Sequence, residues 1–325
     1  MRLYDLAKTD LRPETPPISA GVRPGCFLSG TACALGGFDG IHVGHMAILR
    51  RTVGIAAENG LVPAVWTFET APGALDSAAI STTEQRLRLF AGAGIRFAAV
   101  ESFDGIRSMP AEDFVSAVLA GTMGCAVAVC GFNFTFGQGG AAHSDDLSRL
   151  MLRLGGRAET VPEVKINGET VSSTRIRALL RDGDPAGAAA MLGRPFTVEG
   201  GIIHGRRLGH SIGFPTCNQR IPDGVIVPKL GVYATEIEVG GASYPSVTNI
   251  GMRPTVADMP GGDSEPVAET HIIGENVGEL YGMPAVTRLL GFIRPEKRFD
   301  SLSGLTAQME RDVETRMSGR LPSDH

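Results

Sequence analysis

Between residues 31 and 164, short apolar runs alternate with helical periods; from 196 to 294 the helical periods disappear and only short strand-like runs remain. This change of pattern constrains the fold more than any other feature. The runs at 31–36, 62–68, 96–101, 125–130 and 158–164 predict strands. Met46, Leu49, Val53 and Ala56, at three- and four-residue spacing, predict a helix after the first of them. Ser81 and Glu84 have the spacing of a capping box for a second helix. Pro110, followed by Glu112 and Asp113, opens a third, and residues 145–154 supply a fourth. Such alternation folds as a doubly wound parallel sheet with right-handed crossovers, which binds ligands beyond the carboxyl ends of its strands.

The second half reads differently. Met191-Leu192-Gly193-Arg194-Pro195 ends a small helix, because Pro195 disfavours its continuation. The runs 196–204, 231–240, 243–249, 268–273 and 285–293, separated by Gly and Pro turns, predict a small antiparallel barrel or sandwich. A closing amphipathic helix over roughly 301–317 carries Leu302, Leu305, Met309 and Val313. The expectation is an α/β domain over 1–190 and a β-barrel domain with a C-terminal helix over 191–325.

Composition narrows the function classes. The 325 residues fit two domains, and 30 basic against 35 acidic residues leave a formal charge of −5. That excludes a broad cationic face for nucleic acid but not a local anion pocket. No apolar run reaches membrane-spanning length, and Asp5 and Asp10 interrupt the start where a signal peptide needs an apolar stretch. Cys26, Cys33, Cys125, Cys130 and Cys217 form no CxxC pair and read as reduced, mostly buried thiols of a cytoplasmic protein. The oligomeric state is left open.

Gly36-Gly37-Phe38-Asp39-Gly40-Ile41-His42-Val43-Gly44-His45 lies between the first strand and the first helix. Glycines there allow close backbone approach, and the helix start offers free N–H groups to an anion. His42 and His45 share one side of the first turn, where imidazoles can donate to phosphate oxygens. An ordinary turn with two exposed histidines, or a zinc site through Asp39, His42 and His45, would use the same residues. Two further segments follow strands on the same sheet edge. One is Gly131-Phe132-Asn133-Phe134-Thr135-Phe136-Gly137; the other is Val171-Ser172-Ser173-Thr174-Arg175-Ile176-Arg177, whose hydroxyls and arginines suit a polyphosphate. A P-loop is excluded, since GxxxxGK[ST] does not occur.

Together the GxFDGxHxGH, NFTFG and SSTxxR segments resemble the adenylyltransferase half of the bifunctional bacterial riboflavin kinase/FAD synthetases, which implies a nucleotidyltransferase-type sheet. In the second half, Gly205 to Gly213 is a Gly-rich flap followed by Thr216 and Asn218, whose oxygens can hold nucleotide phosphates and a hard cation such as Mg²⁺. With Gly231-Val232-Tyr233, Asn249 to Thr255, Glu269-Thr270-His271 and Leu280-Tyr281-Gly282, the order resembles the riboflavin kinase domain. Read on its own, Glu269 is one surface carboxylate among many.

The resemblance implies roles. Glu269 would take the proton from the ribityl hydroxyl of riboflavin, with Thr216 and Asn218 on Mg²⁺ and ATP, and Gly205, Gly209 and Gly213 over the phosphates. In the first half His42 and His45 would stabilise charge at the α-phosphate of ATP as FMN attacks it. Gly37, Phe38, Asp39, Asn133, Ser173, Thr174 and Arg177 would bind the nucleotide. The chain departs from the family at Phe68-Glu69-Thr70-Ala71-Pro72, in lacking basic residues over Gln138–Ala142, and at Ile273-Gly274-Glu275-Asn276. These departures leave two alternatives: a kinase with a weakened adenylyltransferase, and a non-catalytic flavin sensor.

Overall fold

The structure, a computed structural model, describes residues 1–8, 30–70, 78–204, 214–254, 264–274 and 280–319. The chain divides into two compact units, Met1–Ser173 and Thr174–His325.

The first unit begins with β1 (Arg2–Asp5), β2 (Thr31–Leu35), α1 (Val43–Asn59), β3 (Val62–Phe68), α2 (Thr83–Gly92) and β4 (Phe97–Glu101). Then come α3 (Phe103–Ile106), α4 (Ala111–Asp113) running on as a π-helix over Phe114–Thr122, and β5 (Cys125–Gly131). The hairpin β6 (Thr135–Phe136) and β7 (Ala142–His143), α5 (Ser144–Arg153), β8 (Arg157–Val161) and the hairpin β9 (Lys165–Ile166) and β10 (Glu169–Thr170) complete it. The main sheet runs β1-β4-β3-β2-β5-β8. All its pairs are parallel except β1 with β4. Successive crossovers lead from β2 to β3 and β4 on one side, and later segments form β5 and β8 on the other. The order therefore reverses between β2 and β5, and the loops leaving these strands open a crevice there.

Strand alternation sends β2 into two cores. Cys33 and Leu35 join Trp66, Phe114 and Leu119 on one face. Ala32 and Ala34 join Leu49, Ile55 and Phe90 on the other. A sheet covered on both sides needs apolar runs without gaps, which explains why these strands were legible. The edge strand β1 was not: its four residues carry no run of that kind.

Two expectations shift in detail. The capping box of α2 is formed by Thr82 and Gln85, not Ser81 and Glu84. Ser81 is engaged elsewhere, its hydroxyl accepting from the Gly40 N–H at 3.0 Å. Beyond Pro110 the helix widens, and the Thr122 hydroxyl donates to the Ala117 carbonyl five residues back.

The second unit holds α6 (Ser173–Asp182, from the boundary onward), α7 (Pro185–Leu192) and a closed antiparallel barrel. Its strands are β11 (Phe196–Ile203), β12 (Thr216–Arg220), β13 (Gly231–Val239), β14 (Ala242–Pro254), β15 (Ser264–Ile272) and β16 (Pro284–Arg294), followed by α8 (Leu302–Ser318). Barrel rather than sandwich is thus the outcome, in the order β11-β12-β15-β14-β13-β16. The sequence hid β12 because its inward residues are not all apolar. Gln219 is fully buried, receiving a bond from the Thr287 hydroxyl at 2.6 Å and donating to the Ala285 carbonyl at 2.8 Å. Thr235 bonds Ser246 and Thr248 at 2.8 Å, and Thr248 bonds Thr270 at 2.9 Å. Every member of this buried hydroxyl row has a partner, as a low-dielectric interior demands.

Leu302, expected on the apolar stripe of the last helix, is 58% exposed, and the buried residue of α8 is Asp312. Arg294 grips it through Nε (2.9 Å to Oδ1) and Nη2 (2.7 Å to Oδ2), and Gln308 adds a bond at 2.9 Å. Removing one partner strands the other's charge. Asp312→Ala is expected to destabilise the chain by about 3–5 kcal/mol, read as a lower urea midpoint by circular dichroism.

Candidate active sites

The loop between β2 and α1 is strained and is held in place by hydrogen bonds from its surroundings. Phe38 and Ile41 have φ of 49° and 39°. Such left-handed positions cost roughly 1–3 kcal/mol each and need surrounding structure to impose them. Gly40, at φ 74°, is obligatory: an added Cβ would stand 2.9 Å from Ile80. The Asp39 carboxylate accepts from the Ile80 N–H at 2.9 Å and the Ser81 N–H at 3.3 Å. The Ser173 hydroxyl donates to the Asp39 carbonyl at 3.0 Å, joining the SSTxxR segment to the loop. Thr67 and Arg86 donate to the Gly37 carbonyl at 3.2 and 3.1 Å. Phe38 and Asp39 are buried, so their side chains set the loop's shape and they offer a ligand main chain only.

His42 caps α1. Its Nδ1 accepts from the His45 N–H at 3.2 Å, so a neutral His42 carries its proton on Nε2. The two rings stack with centroids 3.6 Å apart and 13° between planes. Gly44 makes the stack possible, since a Cβ there would press on the His42 ring at 3.2 Å. His45 also meets the edge of Phe38, and its Nδ1 is buried without a partner. Burial first, then the His42 and Arg86 charges, hold the His45 imidazole well below its ordinary 6.5. A neutral His45 imidazole presents an N–H donor, which is what a phosphate requires.

This depression has a consequence for stability. The folded protein protonates His45 less readily than the unfolded chain, so acid favours unfolding. Stability is whole above pH 6.5 and falls below it, by up to about 1.4 kcal/mol per pH unit. Thermal melts between pH 7.5 and 5 should show the fall, with a shallower slope in His45→Gln.

The zinc alternative fails. The Asp39 carboxylate is turned to backbone N–H groups, and no cluster of three His, Cys, Asp or Glu side chains suited to a metal occurs among the described residues.

Asn133 is exposed in the turn after β5, one strand from the histidine loop. Thr174 is exposed and Arg177 is buried on α6, within the second unit. Beside the turn after β5 opens a cavity of about 600 Å³ walled by Trp66, Phe68, Phe103, Phe134 and Phe136. Phe68 and Phe103 meet edge to face at 5.5 Å. Gly137, Gly139 and Gly140 complete one wall, in a stretch that carries no basic residue. Such a slot suits a flat heteroaromatic ring.

In the barrel, Thr216 and Asn218 are two apart on β12, and Asn218 pairs directly with Glu269 of β15. The three therefore share one face. The Thr216 hydroxyl donates to Glu269 Oε1 at 3.1 Å. Asn249 of β14 pairs with Glu269 from the other side and extends the polar row. Glu269 is exposed and Asn218 buried. Gly205, Gly209 and Gly213 lie outside the described residues, as do Ala71, Pro72, Cys26 and Glu275. Cys33, Cys125, Cys130 and Cys217 are buried and free.

Two family models match these halves: FAD synthetase over residues 27–175 and riboflavin kinase over 192–318. The bifunctional riboflavin kinase/FMN adenylyltransferase of Pseudomonas fluorescens is 33% identical over 91% of this chain and 95% of its own. That of Listeria monocytogenes is 32% identical over 86% and 89%. The chain belongs to the bifunctional riboflavin kinase/FMN adenylyltransferase family. A crystal structure described as a macrolide-efflux protein from Streptococcus pneumoniae shares the architecture, with a TM-score of 0.79 and 27% identity over 93% of this chain and 98% of that one. No described helix here is long and apolar enough to cross a membrane.

Within this family frame, two features escaped the sequence. The aromatic cavity draws on β3, α3 and the turn after β5, which no linear pattern links. Arg86 sits at an inward position of α2 beside Leu87 and Phe90, where a charge reads as surface.

Proposed function

We infer that residues 1–190 transfer the AMP moiety of ATP to FMN, and that residues 191–325 phosphorylate riboflavin. The protein is a bifunctional, ATP-dependent transferase: the kinase step gives FMN and ADP, and the adenylyl transfer gives FAD and pyrophosphate. The observation that carries the residue assignment is the coexistence of a phosphate-ready histidine pair in one unit and the Thr216–Asn218–Glu269 row in the other.

In the first unit, main-chain groups of Gly37, Phe38 and Asp39 and the helix start receive phosphates, with Ser173 beside them. The His42 and His45 N–H donors meet the charge that grows on the α-phosphate as an FMN phosphate oxygen attacks and pyrophosphate leaves. The aromatic slot takes the flavin ring, which brings FMN's phosphate toward the same crevice. Asn133 of this unit is assigned to the nucleotide by resemblance to the family, and Thr174 and Arg177, which α6 carries past the unit boundary, are assigned to it on the same ground alone.

In the second unit, Glu269 accepts the proton of the ribityl hydroxyl, whose oxygen attacks the γ-phosphate of ATP while ADP departs. Thr216 and Asn218 offer neutral oxygen donors, which suit Mg²⁺ arriving with the nucleotide phosphates rather than held by a cage of carboxylates. The cation's contribution is to offset phosphate charge. Alignment and exclusion of water fall to the protein.

Incubating the chain with riboflavin, ATP and Mg²⁺, then separating products by chromatography, tests the reading. FAD with both ADP and pyrophosphate is expected. FMN and ADP alone would favour the weakened first site, and bound flavin with neither product would favour the sensor.

A further inference from the structure

Arg86 is 3% exposed, yet the acceptors of its guanidinium are all uncharged. Nη1 donates to the Gly37 carbonyl at 3.1 Å and the Thr67 hydroxyl at 3.4 Å. Nη2 donates to the Glu69 carbonyl and, at 3.1 Å, to the Thr83 hydroxyl. The Glu69 carboxylate is turned away to Arg2, 2.9 Å distant. A buried cation is costly, and one gripping only carbonyls and hydroxyls keeps most of its field. That field falls on the loop that begins at Gly37. The geometry points to Arg86 as a positioning residue of the adenylyl-transfer site: it clamps the Gly37 carbonyl to fix the phosphate-receiving loop, and sets a positive potential beneath that loop.

The inference rests on the reading of the first site given above. A polyphosphate gains from a standing positive charge that needs no reorganisation when it binds. The groups facing His45 are His42, Arg86 and the ring of Phe38, with Asp39 the nearby carboxylate acting on Arg86. Asp39 offsets the cation only in part, because its oxygens are also held by the Ile80 and Ser81 N–H groups. Burial is the first cause that disfavours imidazolium at His45, and the cation adds to it after His42, keeping that ring an N–H donor rather than an acid that loses its proton to phosphate. A planar fork is needed to reach Gly37, Thr67, Glu69 and Thr83 at once; a lysine can supply the charge but not the span.

The test uses the full chain with Arg86→Met, Arg86→Lys and, in parallel, His45→Ala. FAD formation from FMN is followed against ATP concentration and pH, and riboflavin phosphorylation in the same preparations reports the integrity of the second unit. Arg86→Met should raise the KM for ATP in FAD formation about tenfold or more and move the acid limb of kcat/KM to higher pH. Arg86→Lys should leave the acid limb in place and lower kcat, with a KM near that of the parent chain. A structural residue alone would not split KM, kcat and the acid limb in this way between the two variants. The proposal is overturned if Arg86→Met keeps the parental KM and acid limb while His45→Ala has lost FAD formation. If His45→Ala retains FAD formation, the reading of the first site fails instead. Should Arg86→Met not fold, Arg86→Lys decides: an unchanged kcat overturns the clamp, and a lowered kcat with an unmoved acid limb upholds it.

Discussion

Alanine at His42 or His45 should abolish most FAD formation from FMN while riboflavin phosphorylation continues. In the proposed reaction each imidazole is a preorganised donor at the position where charge develops, and losing one such donor costs about 2–4 kcal/mol of transition-state stabilisation, or roughly 10²–10³ in rate. The two substitutions are not equivalent. His42 is also the N-cap of α1, so His42→Ala removes a helix cap worth about 1 kcal/mol as well. His42→Asn separates the effects, because asparagine can accept the His45 N–H but cannot place a donor where Nε2 stands. Its melting temperature should stay near the parental value while FAD formation falls. His45 has a different second role, as it fills the space between His42 and Phe38. Steady-state assays with FMN and with riboflavin in one preparation provide the measurement. Equal loss of both activities would make the pair structural and end the two-site assignment.

How much of this was legible in the sequence depended on whether the structural demand was local. The sheet was, because each strand between two covered faces needs an uninterrupted apolar run, as at Thr31–Leu35 and Cys125–Gly131. The histidine loop was, because strained backbone, a helix start and paired imidazoles fall within ten consecutive residues. Demands met by distant residues stayed hidden. Ser81 read as a cap, yet its hydroxyl serves Gly40, 41 residues away. Strand β12 carries a glutamine inward, and only Thr287 and three strand carbonyls explain how that is tolerated. The aromatic slot needs Phe68, Phe103 and Phe134 from three segments. Arg86 was invisible for the same reason, since its acceptors are spread over Gly37, Thr67, Glu69 and Thr83, the farthest of them 49 residues earlier.

Glu269→Gln should collapse riboflavin phosphorylation by about 10²–10⁴-fold, the contribution expected of a positioned general base. The structure makes this substitution unusually clean. Thr216 donates its hydroxyl proton to Glu269 Oε1, and a glutamine carbonyl can accept the same bond. Thr216 and the neighbouring Asn218 therefore keep their orientation, and nucleotide binding should survive. What disappears is the basic lone pair, since an amide does not take a proton at neutral pH. Thr216→Ala gives the complementary result: the carboxylate persists but the hydroxyl assigned to the Mg²⁺–nucleotide is gone, so the KM for ATP should rise more than it does in Glu269→Gln. The FMN-dependent activity should persist in both, because it is assigned to residues before 190. Paired kinetics, with riboflavin and with FMN as acceptor, decide the matter. Near-normal kinase turnover in Glu269→Gln would return Glu269 to an exposed strand carboxylate, and loss of FMN-dependent FAD formation as well would break the division of labour between the two halves.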